Sequence, residues 1–125
     1  METIIQTDSH IEHYVSLKPY HFNHLRRFDL KQAEEYQTLI LELEDETESG
    51  LLTLTFEGIN ELGFLPRGFQ PIPLYLEIVS IVERQWEGMN YQVFNSEQDV
   101  KLSFYCRHFR ASVQEIDFGD GTVNL

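Results

Sequence analysis

Four of the five histidines lie within fifteen residues near the start of the chain. They form two H-x-x-H pairs separated by seven residues, and they are His10, His13, His21 and His24. Imidazoles at close spacing can bind Zn²⁺ or another borderline divalent ion, with Asp8 or Glu12 completing or supporting the ligand set. The pattern therefore predicts a candidate metal site, and the sequence suggests no other cofactor.

Two other interpretations of these histidines stay open. Residues three apart share a face only on a helix, and the segment does not have a clear helical pattern. No cysteine is near, and closed four-histidine sites are not a common structural zinc pattern. In the first alternative, the histidines are surface or half-buried residues of an aromatic-rich strand. In the second, they form a cluster that changes charge near pH 6.5.

The single cysteine, Cys106, is two residues from His108. A nucleophilic thiol needs a nearby base and an exposed, electropositive setting, and Arg107 could supply positive charge. However, Cys106 is in phase with Leu102 and Phe104, on the predicted core side of a strand. We expect a buried, inert thiol.

The sequence contains no recognisable catalytic motif. Glu42 and Glu44 share an outward strand face, which predicts a solvated charged surface rather than an acid–base pair in a cleft. A P-loop, a dinucleotide-binding glycine motif and a nucleophile elbow are all missing. The pattern favours a protein that is not an enzyme.

Aromatic and arginine side chains suggest a binding surface elsewhere. The loop F-L-P-R-G-F contains Phe64, Arg67 and Phe69, and Trp86 lies at a predicted hairpin tip. Such residue types are enriched at binding hot spots, and loops on a rigid sheet often carry recognition. The alternative is that these side chains cover one open end of the sheet.

The charge of the chain restricts its partners. The 125 residues include 21 Asp and Glu against nine Lys and Arg, which gives a formal net charge of −12. Nucleic acid and anionic membranes would be repelled, whereas a basic protein would be attracted. The acidity could also serve solubility alone.

We expect the protein to be cytoplasmic. One cysteine allows no disulfide within the chain, which is compatible with a reducing compartment. No basic segment followed by an apolar stretch opens the sequence, and no apolar run reaches membrane-spanning length.

Length and patterning predict one acidic, mainly β domain over residues 1–125. About seven short strands alternate apolar and polar residues, most clearly at 52–57 and 100–107. Such strands joined by turns predict an antiparallel meander that forms a sandwich or a partly open barrel. An α+β arrangement is the alternative, and exposed edges allow a monomer or a homodimer.

At most one short helix is expected, near residues 30–36. Asp29 followed three residues later by Gln32 is a helix-start signal. Beyond it, Leu39, Leu41 and Leu43 alternate with glutamates, which predicts a strand over 36–44. Residues 61–73 are rich in Gly and Pro and are expected to form a loop.

One segment resembles a known group of proteins. Residues 52–59 read L-T-L-T-F-E-G-I, a strand that ends in Phe, a polar residue, Gly and an aliphatic residue. This resembles a pattern in small uncharacterised bacterial β-proteins, some of which look like immunity proteins of bacterial toxin systems. Immunity proteins bind and block a cognate toxin, so the resemblance implies binding to a protein without catalytic residues.

Two hypotheses follow for function. The first is a non-enzymatic, protein-binding module, immunity-like, that inhibits a basic partner. The alternative is a metal-binding protein or enzyme that uses the four histidines.

Overall fold

In the residues that it describes, the computed structural model contains one α-helix and eight strands. It describes residues 8–32, 35–45, 50–65, 72–84, 87–95 and 101–115. The helix α1 is Ser9–Ser16, and short 3₁₀ turns lie at Pro19–His21 and Val82–Arg84. The strands are β1 Phe22–Gln32, β2 Gln37–Asp45, β3 Gly50–Leu65, β4 Ile72–Pro73, β5 Leu76–Ser80, β6 Tyr91–Asn95, β7 Lys101–Cys106 and β8 His108–Glu115.

The mainly β, antiparallel prediction is confirmed. The strands follow the order β4-β1-β2-β3-β7-β6-β5, and β8 pairs with β3 beside this path. Consecutive strands pair as a meander in β1–β2–β3 and again in β5–β6–β7. The two end strands, β4 and β5, are separated by only two residues of chain, but the ladder between them is not closed into a barrel.

Strand β3 joins two halves of this bent sheet. Its residues 50–57 pair with β8 and its residues 60–65 with β7, while β2 pairs with residues between 51 and 59. The change of partner falls at Gly58, whose φ of 73° is in the left-handed region that glycine tolerates best. We call β4, β1, β2, β8 and the first part of β3 the large half-sheet, and β5, β6, β7 and the second part of β3 the small half-sheet.

A single hydrophobic core fills the bend between the two half-sheets. The inward residues of β2 and β3, such as Leu41 and Leu54, are fully buried. Phe56 of β3 contacts Phe104 of β7 at 4.8 Å and Phe109 of β8 at 6.1 Å between ring centroids. Alternation along β2, β5, β6, β7 and the first part of β3 turns every second side chain into this core and the rest outward.

The position predicted for the helix, near residues 30–36, is wrong for the described residues, and residues 33 and 34 lie outside them. Residues 30–32 belong to strand β1, where Leu30 pairs with Leu39. Asp29 does not cap a helix there, because its carboxylate binds Arg27 across two strand positions at 2.8 Å. The helix begins after Asp8 instead, whose side chain accepts hydrogen bonds from the backbone N–H groups of His10 and Ile11.

The predicted loop at 61–73 is partly strand. Strand β3 continues to Leu65, because Gly63 and Phe64 pair with Ser103 and Leu102 of β7. Residues 66–71 lie outside the described part of the chain. The strand predicted over 36–44 is confirmed by β2.

Candidate partner-binding surface

Helix α1 fills the gap between β5 and β8, the two strand edges that the sheet leaves open beside it. The Tyr14 hydroxyl donates to the carbonyl of Leu76 on β5 at 2.7 Å. The next residue, His13, places Nε2 at 3.0 Å from the carbonyl oxygen of Ala111 on β8. Tyr91 also donates to the Asp8 carboxylate at 2.8 Å, which ties the start of the helix to β6. These contacts give the helical segment a structural role.

The four candidate metal ligands lie on three different elements. His10 and His13 are on α1, His21 is on a 3₁₀ turn and His24 is on β1 opposite Glu44. The His10 ring packs edge-on against Phe109, and the His21 ring lies against Tyr20. Within the described residues, no group of three or more His, Cys, Asp or Glu side chains is close enough to hold a metal ion. The structure does not bring the four histidines together, and metal binding stays a prediction.

Of the four residues predicted to bind a partner, Phe64 lies within the described part of the chain, and it packs against the hydrophobic core. The half-buried Phe64 stacks on Phe28, with ring centroids 4.5 Å apart and planes 9° from parallel. Arg67, Phe69 and Trp86 lie outside the described residues.

Cys106 is buried, as expected for an inert thiol. Burial raises its pKa to about 12, so the thiol stays protonated at neutral pH. His108 is exposed at the start of β8, beyond the break at Arg107. This environment does not generate a nucleophilic thiolate.

Ion pairs cover the outer face of the large half-sheet. Arg27 binds Glu42 at 2.9 Å as well as Asp29, and these hydrogen bonds raise the arginine pKa. Further contacts are Arg26–Glu44 at 3.1 Å, Lys31–Asp29 at 3.9 Å and Arg110–Glu57 at 3.7 Å. We call this surface the ion-paired face. Its cations are already engaged by carboxylates of the same chain.

The outer face of the small half-sheet carries a different set of side chains. Strand register places Val79, Gln92, Tyr105 and Asn60 in one row, and Phe94 and Ser103 in the next, where Glu77 lies opposite Phe94 at the edge. The six uncharged residues are exposed or half-exposed. We call this surface, formed by Asn60, Val79, Gln92, Phe94, Ser103 and Tyr105, the uncharged face. Charged residues flank it, with Glu77 on β5 and Lys101 at the start of β7.

A cleft of about 440 Å³ opens where the two half-sheets meet, beside the uncharged face. Its lining includes Glu35, Tyr36, Gly58, Asn60, Met89 and Arg107. We call it the corner cleft. Asn60 belongs to both the cleft and the uncharged face, so the two form one continuous surface.

Arg107 is held in place across the corner cleft. Its backbone N–H donates to the carbonyl of Glu57 at 2.9 Å, and its own carbonyl accepts from Asn90 Nδ2 at 2.7 Å. Its guanidinium carbon lies 5.9 Å from the centre of the Tyr36 ring, within cation–π range. The backbone of Arg107 is therefore anchored, and its guanidinium lies in the cleft beside an aromatic ring.

Comparison with known proteins identifies the family. The family model for immunity protein PIM8 matches residues 6–112. The chain belongs to the immunity protein PIM8 family. No curated protein and no solved structure matches the sequence. The resemblance to immunity proteins is thus confirmed. The PIM8 match includes α1, the uncharged face and the corner cleft.

In this PIM8-family chain, sequence reasoning missed the outward residues of β6 and β7. The relevant signal was present, because residues 92, 94, 103 and 105 are all uncharged in a chain that is 24% charged. Arg107 was considered only as a charge near Cys106. Its place at the bend depends on the pairing of β3 with both β7 and β8.

No helix in the described residues has the length and apolar character needed to cross a membrane.

Proposed function

We propose that this PIM8-family protein is a non-enzymatic inhibitor that binds a cognate toxin protein and blocks its activity. The observation that carries the proposal is the family match over residues 6–112. We further propose that the toxin is basic and docks on the uncharged face.

The composition of the uncharged face supports its use as a docking surface. Protein interfaces have cores depleted in charge and enriched in aromatic residues, with a polar rim. Tyr105 and Phe94 supply the aromatic area, and Val79 is 37% exposed beside them. Glu77 and Lys101 would form part of the rim.

The distribution of charge supports a basic partner. Several exposed carboxylates form no ion pair with the described residues: Glu12, Glu35, Glu61, Glu77, Glu83, Glu87 and Glu115. Of the eight described Lys and Arg side chains, Arg26, Arg27, Lys31 and Arg110 are engaged in pairs, which leaves four cations against these seven carboxylates. The excess negative charge therefore faces solvent, where it attracts and steers a cationic protein.

Capture followed by a functional assay tests this proposal. The immobilised protein would be exposed to lysate of its source cells, and each retained protein would be purified and tested for toxicity. We expect one retained toxin to form a stoichiometric complex and to lose its toxicity in that complex. A retained toxin that stays fully active when bound would contradict inhibition.

Salt tests the basic character of the toxin separately. Affinity would be measured by calorimetry at about 50 mM and about 500 mM salt, since screening weakens attraction between charged surfaces. We expect affinity to fall at least about tenfold. A toxin with an acidic isoelectric point and a salt-independent affinity would contradict that part of the proposal while leaving inhibition intact.

A further inference from the structure

Arg107 differs from the arginines of the ion-paired face in having no carboxylate partner. Its guanidinium carries five N–H donors. None of them donates to an acceptor in the described residues, and the guanidinium lies within cation–π range of the Tyr36 ring. Arg27 on the ion-paired face binds two carboxylates. The Arg107 guanidinium is therefore available to an external acceptor.

Two glycines leave room for the Arg107 side chain. A Cβ atom at Gly58 would come within 2.5 Å of Arg107 Cγ and Cδ, so no larger residue fits there. A Cβ at Gly88 would lie 3.3 Å from Arg107 Nε and Nη2, and Gly88 also has a positive φ of 81°. The stem thus lies against bare backbone, which reduces the entropy lost when the guanidinium binds a ligand.

We infer that the corner cleft binds a carboxylate of the toxin, with Arg107 as its anchor. This inference rests on the proposed function. A guanidinium matches a carboxylate through two parallel N–H···O bonds, which fix direction as well as distance. An aspartate, a glutamate or a chain-terminal carboxylate on the partner could each supply the group.

Arg107, the cation that lines the corner cleft of this acidic protein, would set the orientation of the complex. The overall charge of −12 attracts any basic surface, so it does not select one orientation. A carboxylate on a basic toxin is repelled by most of this exterior and is attracted at Arg107. Such paired attraction and repulsion is how interfaces fix register and reject wrong partners.

The effect of replacing Glu35 on affinity distinguishes an anionic ligand from a cationic one. Glu35 is exposed and lines the same cleft as Arg107. If the ligand is a carboxylate, Glu35 opposes binding, and Glu35→Gln strengthens it. If the ligand is a cation, Glu35 attracts it, and Glu35→Gln weakens binding while Arg107→Gln strengthens it.

The test uses the intact protein and short peptides, so it does not require the toxin. Arginine Nε–Hε signals would be followed by NMR during titration with a peptide that contains aspartates and an aromatic residue. A peptide with asparagine in place of each aspartate is the matched control. We expect a saturable shift of the Arg107 signal, with half-saturation at about 1–10 mM, from the aspartate peptide alone.

Variants separate this site from general charge effects. Arg107→Gln should abolish binding, Arg107→Lys should weaken it because the second hydrogen bond is lost, and Glu35→Gln should strengthen it severalfold. Arg110→Gln removes the same charge from the ion-paired face and should leave binding within about twofold. Thermal melts of all four proteins show whether each is folded.

Three results would overturn the inference: equal shifts with both peptides, binding retained by folded Arg107→Gln, or weaker binding by Glu35→Gln. Each can occur while a toxin is still captured and inhibited. Conversely, the peptide result can hold when no toxin is found. The failure of this inference and the failure of the proposed function are therefore distinguishable.

Discussion

The two outer faces of this sheet follow the same strand alternation but present different chemistry. On the large half-sheet, outward residues such as Arg27, Asp29 and Glu42 bind one another. On the small half-sheet, outward residues such as Gln92 and Ser103 carry no charge. One face satisfies its own charges, and the other leaves aromatic and polar groups open to solvent.

If the toxin docks on the uncharged face as we propose, net charge alone does not locate the binding surface. Exposed ion pairs in water are worth about 0–1 kcal/mol each, and covering them would require their desolvation. Covering an uncharged surface that carries aromatic groups costs less desolvation free energy and buries more apolar area. The face with the fewest charges is thus the better docking surface on an acidic protein.

The largest expected effect is on the core that both faces share. Phe56→Ala removes a fully buried ring that contacts β7 and β8. We expect the free energy of unfolding to fall by about 3–5 kcal/mol, measured by urea unfolding. A loss below about 1 kcal/mol would show that the two half-sheets do not depend on one core.

Alkaline pH provides a second measure of that core. Burial raises the pKa of Cys106 from 9.0 to about 12, and burial also raises the pKa of the Tyr14 and Tyr91 hydroxyls. Each group ionises more readily when unfolded, so its stabilisation is complete below its unfolded pKa and is lost as pH rises toward its folded pKa.

Because the Cys106 thiol ionises in the unfolded state above about pH 9, it should lower the free energy of unfolding by up to about 1.4 kcal/mol per pH unit. Urea unfolding at about pH 8, 10 and 11 measures this slope, and Cys106→Ala should reduce it by that amount. An unchanged slope in Cys106→Ala would mean that the thiol is not buried as described.

The ion-paired face should tolerate loss of a single partner. Glu42→Gln leaves Arg27 bound to Asp29, so we expect the free energy of unfolding to fall by only about 0.2–1 kcal/mol. Toxin affinity should stay within about threefold of the original. A loss of affinity beyond about tenfold would place the docking surface on the ion-paired face.

The smallest expected effect is that of metal ions. Thermal melts would be recorded with EDTA and with added Zn²⁺, Ni²⁺ or Mn²⁺. A metal at about a hundred times its dissociation constant would add about 2.7 kcal/mol and raise the melting temperature by several degrees. We expect no such rise. A rise that is lost in the His10→Ala/His13→Ala variant would establish a histidine site.

Strand alternation made most of the sheet predictable. Leu39, Leu41 and Leu43 indicated β2 and its buried side, and the phase of Cys106 indicated its burial. The helix was harder to predict, because an Asp cap with Gln or Glu three or four residues later occurs at both Asp8 and Asp29. Tertiary contacts decide between them: Tyr14 reaches β5, whereas Asp29 binds Arg27 within a strand.

The candidate surface depends on pairings that are distant in sequence. Arg107 reaches the corner cleft because β3 bends at Gly58 and pairs with β7 on one side of the bend and β8 on the other. Local patterns predicted a strand through Arg107, and they do not show which glycine lies beneath it. The uncharged face was readable from alternation, yet only the register shows that Gln92 and Tyr105 are neighbours.

The most direct test of the account compares two serines at outward strand positions. Ser103 lies on the uncharged face and Ser112 on the large half-sheet beside Thr53, and both are exposed. Ser103→Arg and Ser112→Arg add the same charge and bulk, so calorimetry with the captured toxin isolates the effect of position. We expect Ser103→Arg to weaken binding at least about 100-fold, about 3 kcal/mol, and Ser112→Arg to stay within about threefold. Equal losses, or a larger loss in Ser112→Arg, would contradict docking on the uncharged face.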